Sequence, residues 1–165
     1  MVARRISDID WSSWRATDLA TLVFVHKAGR LLLIRKKRGL GAGKISGPGG
    51  RLEEGESFEQ CAVREIQEEL VITPKNLDWL GEMRFQFIDG YAIHVYIYRA
   101  TDYEGTPTET SEAIPIWVDD EKIPYDEMWE DDYLWMPLLL AGKRFEGRFI
   151  FEDEAMLDHE LTILE

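Results

Sequence analysis

Cysteine is almost absent from this chain of 165 residues, where Cys61 stands alone. A single thiol excludes a disulfide framework and a thiolate metal site. It points to a small buried side chain and to a reducing cytoplasm as the simplest home. Histidine is scarce too, and His26, His94 and His159 show no metal-ligand spacing, so all three read as structural or exposed. Positive charge is in deficit, with 19 lysines and arginines against 32 aspartates and glutamates and a net charge of -13. So acidic a chain is repelled by a nucleic-acid backbone and is not drawn to anionic membranes, although a small phosphorylated ligand accompanied by a cation is acceptable. No apolar run approaches the roughly 20 residues of a membrane span, and no signal-peptide pattern is present, so neither export nor a membrane anchor is expected. Repeats and low-complexity tracts are missing. What is present is 45% hydrophobic and 12% aromatic residues in a length that suits one domain with a sizeable core, with no obligatory protein partner evident.

The elements follow from periodicity. Residues 1–18 are a polar extension carrying Trp11 and Trp14, which is either a mobile arm or a segment that packs those rings on the domain, and residues 19–165 form the domain. Thr21 to Val25 and Leu31 to Arg35 read as strands about the turn Lys27-Ala28-Gly29-Arg30, followed by a glycine-rich loop from Gly39 to Gly50 and an acidic helix. Leu80 to Ile88 and Ala92 to Ala100 alternate Met83, Phe85, Phe87 and Ile93, Val95, Ile97 about Asp89-Gly90, which predicts an antiparallel hairpin with one face inward. Pro107 to Ser111 is a loop, Ile114 to Val118 a short strand, Asp131 to Leu140 a second helix opening on paired aspartates, and Arg144 to Phe151 a strand before an acidic tail. Strands segregated from two helices predict an α/β (α+β) sandwich, a mixed sheet covered by helices.

Chemistry concentrates between Gly50 and Ile72. On a helix Phe58, Ala62, Ile66 and Leu70 form an apolar ladder, while Glu65, Glu68 and Glu69 project together from another face. Like carboxylates at these spacings repel by about a few tenths of a kcal/mol per exposed pair, so the cluster calls for a cation or full solvation. Hard oxygen ligands favour magnesium, with manganese as an alternative. Val71 is expected to leave the helix in an extended conformation, with Thr73-Pro74 ending it.

This stretch resembles the Nudix box, G-x5-E-x7-R-E-U-x-E-E-x-G-U with U aliphatic, through Gly50, Glu56, Arg64-Glu65-Ile66 and Glu68-Glu69; the second glycine of the pattern is Val71. Within that family Lys36 to Lys44, Gly47-Pro48-Gly49-Gly50, Gly105-Thr106-Pro107 and Met128 to Leu140 are similar to the branch of oxidised-purine nucleoside triphosphatases, the MutT homologues that hydrolyse 8-oxo-dGTP. The resemblance implies the Nudix fold and hydrolysis of a nucleoside triphosphate to the monophosphate and pyrophosphate. It implies that Glu65, Glu68, Glu69, the Gly49 carbonyl and, by alignment, Glu112 hold the metal, and that Glu112 is alternatively a general base or an ordinary loop glutamate. Arg64 reads as an organiser whose fork clamps Glu56 or a neighbouring carboxylate, and Lys36 as a point charge for phosphate or a solvated strand-end lysine. For the base, Trp129 offers a stacking face, and Asp131 with Asp132 reads a purine edge, particularly with one of them protonated. The competing reading has the aspartates capping the second helix and Trp129 in the core. By the same alignment Leu40 and Phe85 line the walls and Thr21 the floor. Ser46 occupies the position of an asparagine in the branch, which leaves part of a purine edge unpaired and widens the candidates to 2-hydroxy-dATP, methylated purines or a broader set of triphosphates. Other classes that keep the acidic face are a hydrolase of sugar nucleotides or dinucleoside polyphosphates, and a non-catalytic nucleotide-binding module.

Overall fold

The computed structural model describes residues 2–164. Nine strands form one mixed sheet: β1 (Asp18–Lys27), β2 (Arg30–Lys36), β3 (Ile45–Ser46), β4 (Gly49–Arg51), β5 (Thr73–Phe87), β6 (Ala92–Glu104), β7 (Ala113–Asp119), β8 (Arg144–Glu152) and β9 (Ala155–Leu164). Their order is β3-β2-β1-β6-β5-β8-β9, with β4 added to β1 and β7 to β2. Two pairings are parallel, β1 with β6 and β5 with β8, and the remainder antiparallel. Two α-helices complete the fold, α1 (Phe58–Leu70) and α2 (Asp132–Leu140). The mixed sheet and the expected hairpin are therefore as read, β5 and β6 being longer at their far ends than the alternation alone marks.

Both faces of the sheet are buried, which is why Leu31, Leu32, Leu33 and Ile34 run without a polar interruption. Leu31 and Leu33 join Phe24, Met83, Val95, Ile97, Phe145 and Phe149 against Trp135, Met136 and Leu139 of α2. Leu32 and Ile34 point the other way with Val23 and Val25, meeting Ala62, Ile66 and Leu70 of α1. Ser57 starts α1 by accepting from the Gln60 amide while Gln60 returns the bond to the Ser57 amide.

The end of α1 departs from expectation. Val71 is left-handed, φ 63° and ψ 34°, with its amide on the Gln67 carbonyl, not extended. Thr73 begins β5 at once, so the chain must reverse within Val71-Ile72, and the reversal overrides a β-branched residue's aversion to positive φ. Val71 is 57% exposed, so its side chain supplies little packing in return. Val71→Gly is expected to stabilise the fold by about 1 kcal/mol, the relieved strain exceeding glycine's extra unfolded-state entropy, read as a higher urea midpoint at unchanged m-value.

The two ends of the chain also needed the structure. The acidic tail is β9, an antiparallel partner of β8 that turns at Asp153 and packs Met156 and Leu161 on the core. Its alternation is masked by Asp158 and Glu160 on the same short stretch. Residues before β1 are docked: Ile6 is buried with its amide on Asp158, and the Thr17 amide donates to the Ala92 carbonyl. Trp14 donates to Gln86 at 2.8 Å and meets His94 edge-on. Gln86 and His94 alternate with Phe85 and Ile93, so this arm covers the sheet face opposite α2. None of the described helices is long and apolar enough to cross a membrane.

Candidate functional site

A cavity of about 650 Å³ is lined by residues of the sheet and of both helices. Its lining contains Glu65, Glu68, Glu69 and Glu112 together with Trp129, Asp131 and Asp132, so the acidic helix face and the aromatic and aspartate group share one chamber.

At the acidic end, α1 lies against β4 so closely that a Cβ on Gly50 would collide with the Glu65 carboxylate. The side chains of Glu65, Glu69 and Glu112 bring carboxylate oxygens within 4.8 Å of one another. Glu69 is buried, accepts from the Gly49 amide at 3.2 Å, and is pushed up to about 8 by burial, the Gly49 hydrogen bond opposing and Glu65 assisting. Burial likewise raises Glu65, with Arg64 opposing. Three hard oxygen donors from two elements at this separation suit a divalent cation, which would supply the positive charge that the crowded carboxylates lack. Glu68 stands aside, half exposed, with its carboxylate 3.3 Å from Arg64. It lines the chamber without joining the close group.

Arg64 is engaged on every side. Its Nε and Nη2 grip both oxygens of Glu56 at 2.6 and 2.9 Å, Nη1 donates to Glu65 at 2.7 Å and Nη2 also to the Arg51 carbonyl at 3.0 Å. The guanidinium holds Glu56 at about 2, well below the usual carboxylate range. Thr21 is fully buried beneath, its hydroxyl 3.3 Å from Cys61, and burial raises that thiol. Among the cavity's cations Lys36 makes no ion pair with the described residues, while Arg38 is held by Glu112, Arg51 by Asp18 and Arg64 by Glu56 and Glu65.

The other end is built by α2 and the loop after β2. Asp131 precedes α2 in a right-handed conformation and makes no capping hydrogen bond. Its carboxylate accepts from Trp135 Nε1 at 2.8 Å, one helical turn on, so the first aspartate is not spent on the helix end. Asp131 and Asp132 are both buried, and burial raises both, Asp132 further because of the Asp131 charge beside it. Trp129 is partly buried, edge-on to Phe87 and Phe151, with the Lys44 ammonium 5.3 Å from its ring. Gly41, at φ 80°, lies so near that a Cβ there would come to 2.8 Å from the indole nitrogen. Leu40, Ser46 and Phe85 also line the chamber, Phe85 stacked on Phe149 at 5.0 Å and Ser46 only weakly engaged with the Gly47 carbonyl at 3.4 Å. Sequence reasoning passed over Lys44, tied to Glu154 at 2.8 Å, and Arg38 and Arg51 on the wall. It also passed over the Trp135 bond to Asp131, for which the four-residue spacing was a usable signal. The three histidines are structural or exposed: His26 pairs with Asp120, His94 with Glu82, and His159 is exposed.

A mixed sheet between two helices, with a capped helix presenting carboxylates into a chamber, is the arrangement of a Nudix domain. The family model described as NUDIX domain matches residues 16–139, and this chain belongs to that family. The chain is 46% identical over 151 residues to an oxidized purine nucleoside triphosphate hydrolase of Danio rerio, covering 90% of this chain and 97% of the relative. It is 42% identical over 137 residues to the protein of that name from Mus musculus, covering 82% and 88%. Among solved structures, a MutT protein from Bacillus halodurans superposes with a TM-score of 0.78 at 26% identity, covering 87% of this chain and 97% of that one. Nudix hydrolases generally use a divalent metal, and the carboxylate group provides a place for one.

Proposed function

We propose that this protein is a magnesium-dependent hydrolase of oxidised purine nucleoside triphosphates, releasing the nucleoside monophosphate and pyrophosphate and so cleansing the nucleotide pool of a reducing cytoplasm. The observation that carries this reading is the single chamber with carboxylates at one end and a tryptophan with two buried aspartates at the other. The relatives' names agree with it. Magnesium, or manganese in its place, would be held by Glu65, Glu69 and Glu112, with Glu68 and the Gly49 carbonyl nearby, and would neutralise phosphate charge.

The chain's own residues then divide the work. Arg64 fixes Glu65 by holding it against Glu56, so the donor group is set before substrate arrives. Lys36, in no ion pair among the described residues, meets a phosphate oxygen as a point charge. Trp129 stacks on the base, and Phe85 and Leu40 close the walls over the Thr21 floor. Burial raises both aspartates and the Asp131 charge raises Asp132 further, which favours one proton on the pair and lets it offer the base edge both a donor and acceptors. Ser46 is shorter than asparagine and leaves its part of the edge to water, which relaxes the choice among oxidised purines.

The test is magnesium-dependent pyrophosphate release across normal and oxidised triphosphates, with sugar nucleotides and dinucleoside polyphosphates alongside. Preference for 8-oxo-dGTP or 2-hydroxy-dATP by about tenfold or more in kcat/KM is the expected result. Equal rates on unmodified triphosphates would remove the base-reading role of Trp129 and the aspartates, and turnover of sugar nucleotides alone would move the enzyme to another substrate class.

A further inference from the structure

One cation on the chamber wall is in a position that the metal itself will contest. Arg38 Nη2 donates to Glu112 Oε1 at 3.0 Å, and Glu112 is at the same time a member of the close carboxylate group with Glu65 and Glu69. A cation coordinated there and a guanidinium compete for the same carboxylate. The Glu112 main chain is fixed, its carbonyl accepting from the Lys37 amide at 2.9 Å and its amide donating to Thr110 Oγ1 at 3.2 Å. Thr110 in turn donates to the Glu69 carbonyl at 2.8 Å, so Glu112 can change partner only by turning its side chain. Arg38 is the less enclosed member, with 66% of its side chain exposed against 36% for Glu112. It lies between β2 and the residues Gly39 and Leu40 that line the chamber, and Arg38 itself lines it.

We infer that Arg38 serves two partners in turn: it neutralises Glu112 while the carboxylate group holds no metal, and passes to the substrate's phosphates once a metal claims Glu112. The second partner follows from chemistry. A guanidinium released at the wall of a phosphate-binding chamber keeps five donors in a fork matched to phosphate oxygens, and Arg51 and Arg64, the other guanidiniums there, are engaged by Asp18, Glu56 and Glu65. The exchange rests on the functional reading above and couples metal loading to substrate capture through one side chain.

Two affinities separate this role from a merely solvated or structural arginine. Manganese binding to the nucleotide-free protein is measured by electron paramagnetic resonance. Binding of the non-hydrolysable α,β-imido analogue of dGTP is measured by calorimetry in saturating magnesium. For Arg38→Ala the changes have opposite sign: manganese binds about threefold tighter, because a competitor is removed, and the analogue binds about tenfold weaker, because a phosphate contact is lost. Arg38→Lys, which keeps the charge and loses the fork, falls between wild type and alanine in both. If both constants are unchanged, both weaken, or only one moves, the exchange is overturned. A wild-type protein that binds neither manganese nor analogue would instead overturn the functional reading, so the two failures are told apart.

Discussion

Glu69→Gln is expected to lower kcat on the order of 10³-fold while leaving the fold intact. Of the acidic residues on α1, Glu69 is the most enclosed at 4% exposed, and it faces both Glu65 from its own helix and Glu112 from the far side. Substitution by glutamine keeps the volume and an oxygen for the Gly49 amide, now 3.2 Å away, and removes a carboxyl that burial raises to about 8 and that ionises only against Glu65 and Glu112 beside it. The metal-free variant should therefore melt no lower than wild type. What it loses is the charge that draws a divalent ion, so the rise in melting temperature that magnesium produces in the wild type, by mass action on the folded state, should largely vanish. Loss of turnover together with loss of the magnesium shift is the expected pair. An unchanged kcat would remove Glu69 from the metal site, and a lowered metal-free melting temperature would show that its role is structural.

How much of this could be seen before the structure depends on the distance over which each contact acts. α1 was legible because its apolar ladder and its charged face lie within a few turns, whereas its capping pair Ser57 and Gln60 came only with the structure. Glu65 and Glu69 came with the charged face. Val71 was misread because local preference forbids a left-handed valine, whereas the demand for reversal comes from β5, which the local pattern does not contain. The strand β9 was hidden because a pattern of aspartate and glutamate looks solvated until β8 is placed beside it. The docking of the first residues was one of two open readings, and no local pattern could choose it: Ile6 and its partner Asp158 are 152 positions apart.

The chamber shows the same division. Glu112 is 43 residues beyond Glu69 (112 minus 69), and no spacing rule connects them; only the family resemblance selected it. Arg38 and Glu112 are separated by 74 positions, and their pairing arises from β2 and β7 lying side by side, where Lys36 registers with Ala113. The aspartates at the start of α2 gave two readings from the same residues, because a helix start attracts aspartate for capping and a base pocket attracts it for recognition. The structure gives Asp131 to the Trp135 indole, a bond within one turn that periodicity alone could have offered.

That bond makes Asp131→Asn an informative substitution. The Trp135 indole only donates, so the asparagine must turn its oxygen toward Nε1 at the 2.8 Å position, leaving its NH₂ where the wild type presents a carboxylate oxygen. An acceptor in the pocket becomes a donor. Bases that offer an N–H there should lose, and bases that offer an acceptor should gain, a shift in relative kcat/KM of about 10- to 100-fold. Trp129 stacking is untouched, so the change should fall on preference among bases and not on magnesium dependence. The pH dependence sharpens the test. Burial raises both aspartates, and Asp131 raises Asp132 further, so the folded protein retains a proton that the unfolded chain releases near 3.8. The stabilising contribution of the pair is therefore complete below that ordinary value and is lost as pH rises through the raised ones. Glu56 works in the opposite sense: held at about 2 by Arg64, it contributes above its ordinary 4.5 and loses that contribution as pH falls toward 2. Replacing both aspartates by asparagine should make the decline in stability above pH 4 shallower, in denaturant melts at each pH, while the raised Glu65 and Glu69 keep their own share of it. If Asp131→Asn lowers melting temperature without changing base preference, the aspartate is a support for α2 and the base is read elsewhere.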